Sequence, residues 1–157
     1  YKNIIIKPLY GNGGSGVFYI KKDDKNFNSI VEMFLERSSE HFIIQEYIED
    51  IKKGDKRIIL FNGEPVGAIN RIPNDQDIRA NLHVGGVAQK TSLTKKEIEI
   101  CKEIGPSLME KGLVFAGIDV IGGRLTEINV TSPTGFKEIF QFNGVNLAKK
   151  LLDIVLT

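Results

Sequence analysis

Cysteine is nearly absent from this sequence: Cys101 is the single one among 157 residues. Its solitude excludes an internal disulfide framework and any multi-cysteine zinc site, and it fits a reducing, cytoplasmic compartment. Cys101 falls on a helical apolar stripe, which reads as core rather than nucleophile. Histidine is equally scarce. His41 reads as a surface residue and His83 as incidental, because neither has a second imidazole or cysteine at ligand spacing. No apolar run approaches the roughly 20 residues of a membrane span, and no basic-then-apolar leader opens the chain, so no membrane partner is expected. Charge of one sign is also lacking. A net charge of +1 leaves no basic footprint for nucleic acid. There is no Gly-Lys-Ser/Thr, which excludes a P-loop, and no covalent nucleophile is evident.

What is present is 41% hydrophobic content, sufficient for one domain with a core or for two small lobes. The chain opens at Tyr1 almost inside a strand, so it is expected to be a piece of a longer protein.

Residues 3–7 read as a short buried strand ended by Pro8, and residues 17–20 as a second. Between them Gly11, Gly13 and Gly16 match G-x-G-x-x-G. In a dinucleotide-binding fold the last glycine opens a helix; here it opens β-branched and aromatic residues, so that reading fails. A strand, a glycine-rich loop and a second strand instead make a hairpin whose backbone N–H groups fold over phosphates. The loop residues are Gly11, Asn12, Gly13, Gly14, Ser15 and Gly16, and Lys7 points a compact positive charge at the same group. The bland alternative is a plain turn beside a surface lysine; four glycines in six positions favour phosphate.

Residues 26–37 carry apolar side chains at helical spacing, and residues 41–48 form a strand that turns polar at its end. The charged residues 49–55 are the best hinge, which divides the chain into a lobe of residues 1–48 and one of residues 49–157. Asn62-Gly63 is the strongest short hairpin signal. Arg57 and Arg71 lie on its two strands near their outer ends, where they can converge. Residues 72–86 are polar, end in two glycines and carry Arg79 and Asn81, the pattern of a functional lid or a disordered loop. Thr94 and Glu97 form a capping box for a helix running to Gly112, which Pro106 should bend or break. Residues 135–140 and 145–156 read as closing helices.

Residues 118–121 and 125–130 form a hairpin around Gly122-Gly123. A two-residue turn would set Asp119 opposite Thr126. An odd loop, residues 122–124, would set it opposite Glu127, and the apolar pattern favours this register because it gathers Ile118, Val120, Thr126, Ile128 and Val130 on one face. The other face then carries Asp119, Glu127 and Asn129, a hard oxygen cluster suited to Mg²⁺. A solvated polar face on an edge hairpin is the alternative.

Glycine loop, charged hinge and acidic hairpin, in that order, resemble the ATP-grasp superfamily. Lys7-Pro8-Leu9, Lys53-Gly54-Asp55-Lys56-Arg57, Gly63-Glu64-Pro65-Val66, residues 68–73, Arg79-Ala80-Asn81, Ile104-Gly105-Pro106 and Leu125-Thr126-Glu127-Ile128-Asn129-Val130-Thr131-Ser132-Pro133 look like the prokaryotic glutathione synthetase family. Glu46 and Thr134-Gly135-Phe136 depart from its pattern.

The resemblance implies an α+β ATP-grasp fold of two lobes, with mainly antiparallel sheets flanked by helices, and with an N-terminal domain and the start of the small lobe missing. It implies that Lys7 and residues 11–16 hold ATP phosphates, Gln45, Glu46, Tyr47 and Ile48 meet adenine, and Asp55 meets the ribose. Arg57, Arg71 and Ser132 contact the dipeptide substrate, Arg79 and Asn81 lie with Arg71 at the chemistry, and Asp119, Glu127 and Asn129 bind Mg²⁺ or Mn²⁺. The expected substrates are γ-glutamylcysteine and glycine, in a homo-oligomeric longer enzyme; this piece alone is expected to be inactive. Another carboxylate–amine ligase, such as a glutamate-adding one, or a non-catalytic nucleotide-binding module are the alternatives.

Overall fold

The computed structural model describes residues 2–11, 13–37, 40–74 and 77–157, with the side chain of Arg37 left aside. Two antiparallel sheets follow one another along the chain. The first has β1 (Asn3–Pro8) between β2 (Phe18–Lys21) and β3 (Phe42–Glu46). Helix α1 (Phe27–Arg37) lies on it through Phe34, whose ring meets Phe18 edge-on at 5.8 Å and Phe42 at 5.2 Å. A 3₁₀ turn, Glu49–Lys53, occupies the predicted hinge, with Ile51 buried beneath it.

The second sheet has the order β6-β5-β4-β7-β8, built from β4 (Asp55–Phe61), β5 (Glu64–Ile72), β6 (Val87–Lys90), β7 (Phe115–Ile121) and β8 (Arg124–Asn129). Asn62-Gly63 joins β4 to β5 with both residues at positive φ, 49° and 78°, as a two-residue primed turn requires. On one face, alternate positions Ile58, Leu60, Ala68, Ala116, Ile118 and Val120 pack on Cys101 and Leu108 of α2 (Lys95–Glu110). On the other, Ile59, Phe61 and Ile69 pack on Ile139 of α3 (Phe136–Asn143) and Leu147 of α4 (Leu147–Val155). The helices α3 and α4 thus cover the apolar half of that second face, and its other half carries polar residues.

The capping box forms: Thr94 Oγ1 accepts the Glu97 N–H and Glu97 Oε2 accepts the Thr94 N–H. Glu97 also takes Lys56 Nζ of β4 at 2.7 Å, tying the helix start to the sheet. Of the bend or break expected at Pro106, the break does not occur; α2 continues through it to Glu110. The residue before a proline is kept from helical φ/ψ partly by its own Cβ. Gly105 has none, and a Cβ there would lie 2.8 Å from the Gly63 carbonyl oxygen. The same glycine therefore relieves the proline and lets the β4–β5 turn dock on the helix.

The β7–β8 hairpin corrects the loop count but keeps the favoured pairing. Gly122 and Gly123, at φ 56° and 69°, close a two-residue turn with Ile121 opposite Arg124. Val120 then pairs with Leu125, yet Asp119 pairs with Glu127, because the register shifts between them. Thr126 is the extra residue of this bulge, and its hydroxyl donates to the Asp119 carbonyl at 3.1 Å. Beyond it, Ile128 on the edge strand and Val130 just after its end are exposed rather than packed like Ile118 and Val120.

Candidate active site

Strand register alone assembles the polar half of the second face. Arg71 of β5 faces Asp55 of β4, Arg57 of β4 faces Asp119 of β7, Asp119 faces Glu127 of β8, and Gly117 faces Asn129. Arg57 grips Asp119 with two hydrogen bonds, Nε to Oδ1 at 2.5 Å and Nη2 to Oδ2 at 3.0 Å. Arg71 Nη2 reaches Asp55 Oδ2 at 2.5 Å and Asp119 Oδ1 at 3.0 Å. The convergence expected of Arg57 and Arg71 therefore occurs, and its focus is Asp119. All four charged residues are buried.

Burying four charges is expensive unless each is paired. The Arg71 and Arg57 guanidiniums outweigh burial at Asp119 and hold its carboxyl below the usual range. Asp55 fares differently. Burial and the Asp119 charge push it up to about 7 against the pull of Arg71 and Arg57, and its Oδ1 has no hydrogen-bond partner among the described residues. Two guanidinium charges are thus shared between one firmly ionised carboxylate and a second that exchanges its proton near neutral pH.

The donor set fits a hard cation. Asp119, Glu127 and Asn129 offer oxygen ligands on one face, Glu127 is exposed, and Asn129 Nδ2 is buried without a partner among the described residues. That amide brings both an oxygen for a cation and a free N–H₂ for an anionic oxygen. Asp119 already accepts from two arginines, so its remaining lone pairs are what a cation would meet. Among the described residues no cluster of three or more His, Cys, Asp and Glu forms a closed metal cage. Two carboxylates and an amide match an ion that keeps water and phosphate in its shell.

The glycine-rich loop joins β1 to β2 of the first sheet. Lys7 is half-buried near the end of β1, and Gly13, Gly14 and Gly16 adopt φ of 62°, 80° and 70°. Gly11 and Ser15 are exposed; Asn12 lies outside the described residues. The loop is not isolated. Arg79 Nη1 donates to the Gly14 carbonyl at 2.9 Å, and a Cβ at Gly14 would sit 2.7 Å from Asn81 Oδ1. Arg79 and Asn81 are thus brought against the glycine-rich loop.

Among the other expected residues, Gln45 and Glu46 end β3, and the Tyr47 N–H binds the Asn3 carbonyl at 3.1 Å. The rings of Tyr47 and Tyr19 lie 4.4 Å apart, and Ile48 leads extended into the 3₁₀ turn. Glu46 pairs with Arg124 at 2.9 Å, joining β3 to the β7–β8 hairpin. Asp55 is committed to the arginine cluster, and Ser132 is exposed beyond β8. Sequence reasoning missed Asp77, which binds Arg79, and Arg124; it also set aside His83, whose ring would lie 3.2 Å from a Cβ at Gly13. Only tertiary proximity singles these residues out.

Two antiparallel sheets joined by a hinge, with a glycine loop on one and an acidic hairpin on the other, define an ATP-grasp protein. The fold matches a D-cycloserine synthetase with a TM-score of 0.73 at 16% identity, covering 97% of this chain and 55% of that one. It matches a D-alanine–D-alanine ligase from Bacillus anthracis, solved with ATP, with a TM-score of 0.66 at 20% identity, covering 98% and 51%. Residues 1–144 match the sequence profile of the prokaryotic glutathione synthetase ATP-grasp domain, and the chain belongs to that family. It is 56% identical to the glutathione synthetase of Agrobacterium fabrum over 98% of this chain and 48% of that protein. To that of Mesorhizobium japonicum it is 56% identical over 99% and 50%. The chain spans about half the length of the curated relatives it matches.

Proposed function

We propose that the protein is the ATP-grasp part of a longer, homo-oligomeric cytoplasmic ligase that joins γ-glutamylcysteine to glycine at the expense of ATP. The observation that carries this reading is family membership, with 56% identity to a glutathione synthetase over nearly the whole chain. The site chemistry supports it independently, since two arginines gathered beside a hard-oxygen set suit phosphoryl transfer to a carboxylate.

In this reading the lobes divide at residues 48 and 49. Lys7 and residues 11–16 bind the phosphates, while residues 45–48 meet adenine and Asp55 lies toward the ribose. Asp119, Glu127 and Asn129 would hold Mg²⁺, or Mn²⁺ in its place, and the ion supplies charge neutralisation at phosphate oxygens when bound. Arg57, Arg71 and Ser132 orient the dipeptide carboxylate, which attacks the γ-phosphorus of ATP and releases ADP. The glycine amine then adds to the acyl carbon, inorganic phosphate leaves, and the amine loses its proton. Arg79 and Asn81 lie on the loop that covers the phosphates and excludes water, which would otherwise hydrolyse the acyl phosphate. No side chain need form a covalent bond.

Release of ADP measured with each substrate omitted in turn tests the proposal. In the longer enzyme, release is expected to require both γ-glutamylcysteine and glycine, while this chain alone binds ATP with Mg²⁺ but turns nothing over. Turnover that ignores glycine and depends on another amine would overturn the substrate assignment.

A further inference from the structure

Asp77, two residues before Arg79, has no part in the mechanism above, yet it makes the densest contact with that arginine. Its Oδ1 accepts from the Arg79 backbone N–H at 2.9 Å and from Nε at 3.0 Å, and its Oδ2 accepts from Nη2 at 2.6 Å. The carboxylate therefore occupies the Nε–Nη2 side of the guanidinium. The third contact is Nη1 to the Gly14 carbonyl at 2.9 Å. A guanidinium has five N–H groups. With three of them used, one on each Nη nitrogen remains without an acceptor among the described residues, and the side chain is 29% exposed.

The docking does not rest on this ion pair alone. A Cβ at Gly14, where φ is +80°, would meet Asn81 Oδ1 at 2.7 Å and Arg79 Cδ at 3.2 Å, and one at Gly13 would meet His83 Cδ2 at 3.2 Å. Three residues of the loop between β5 and β6 thus lie close against Gly13 and Gly14, where any added side chain would have to displace them. An unclasped arginine samples many rotamers and loses a fixed fork geometry, whereas a bidentate carboxylate sets both the plane and the direction of the fork.

We propose that Asp77 is a positioning residue: it clasps Arg79 so that residues 77–86 dock on the phosphate loop through Gly14 and present the two free guanidinium N–H groups to the transferred phosphoryl group. The identity of that group rests on the ligase reading; the docking does not.

Hydrogen exchange of this chain without nucleotide tests the docking. Asp77→Asn keeps the shape but removes the charge, and is expected to raise exchange at residues 13–16 and 77–86 together by about tenfold, with Asp77→Glu in between and α2 unchanged. Unaltered exchange at residues 13–16 in Asp77→Asn would overturn the coupling. In the longer enzyme the same variant is expected to lower kcat about tenfold while KM for ATP stays within about twofold. A rise in KM with kcat preserved would overturn the presentation of Arg79 to the phosphoryl group. Absence of any ATP-dependent turnover in the wild type would sink the ligase reading and with it the assigned anion, and the exchange result would still decide the docking.

Discussion

Asp119 and Glu127 are direct cross-strand partners, although the hairpin that joins them closes with two residues and an even count would have set Asp119 against Thr126. The bulge at Thr126 supplies the missing residue. By placing one unpaired residue in β8 it returns Glu127 and Asn129 to the face of Asp119, Arg57 and Arg71.

Deleting Thr126 alone removes the extra residue, so Asp119 should still meet Glu127 across the strands; deleting Leu125 with it should pair Glu127 with Val120 and turn Glu127 and Asn129 to the opposite face while leaving the turn intact. Mn²⁺ affinity, read by electron paramagnetic resonance, is expected to hold within about twofold in the first variant and to fall by at least about tenfold in the second, a loss typical of disturbed metal support. Equal affinity in the two variants would show that the register does not set the donor face.

The arginine cluster should dominate the stability of the large sheet. Arg71→Ala leaves Asp55 without its 2.5 Å partner and Asp119 with one guanidinium instead of two. Breaking a buried pair in this way costs about 3–5 kcal/mol. Urea unfolding should show that loss, and Arg71→Met, which restores volume without charge, should not recover it while Asp119 and Asp55 remain.

Asp55 should give the protein a pH dependence of definite sign. Its folded carboxyl is pushed up to about 7 from 3.8, first by burial and then by Asp119. The folded state thus holds its proton more tightly than the unfolded chain does. That contribution to stability is fully present below the unfolded value and is lost as pH rises through the folded one. Asp55→Asn cannot titrate, so between about pH 5 and about pH 8 its Tm should gain on that of the wild type. A constant difference in Tm across that range would refute the shift.

Cys101 should be silent to alkylation in the native state. Its side chain is fully buried against the sheet, and burial, reinforced by the Glu97 charge, pushes the thiol up to about 11. Labelling by a thiol reagent near neutral pH should follow unfolding rather than thiolate formation, so its rate should rise with urea in step with the loss of circular dichroism. Rapid labelling without denaturant would place the residue outside the core.

Much of the fold was legible because its signals are local. Capping by Thr94 and Glu97, the primed turn at Asn62-Gly63 and the alternation of Ile58 with Leu60 each depend on residues a few positions apart. That Pro106 leaves the helix unbroken was not legible, because the residue that spares the helix, Gly105, acts partly through a contact with Gly63 distant in sequence. The site divides in the same way. Arg57, Arg71, Asp119, Glu127 and Asn129 were visible as polar residues at strand positions, and hydrophobic alternation selected the face they share. Asp77 and His83 carried no local signal, since what distinguishes them is the glycine loop against which their segment lies.

The sequence by itself determined which strands alternate, where the turns fall and that a glycine loop precedes a hard-oxygen hairpin, because hydrophobic period and turn chemistry act over short separations. Only the tertiary structure decided that a bulge, not an odd loop, pairs Asp119 with Glu127, that Asp119 is shared by two arginines, and that the loop bearing Arg79 lies on Gly14. Those relationships join residues from separate strands and loops, and their geometry is fixed by packing and by the pairing of buried charge rather than by the order of the chain.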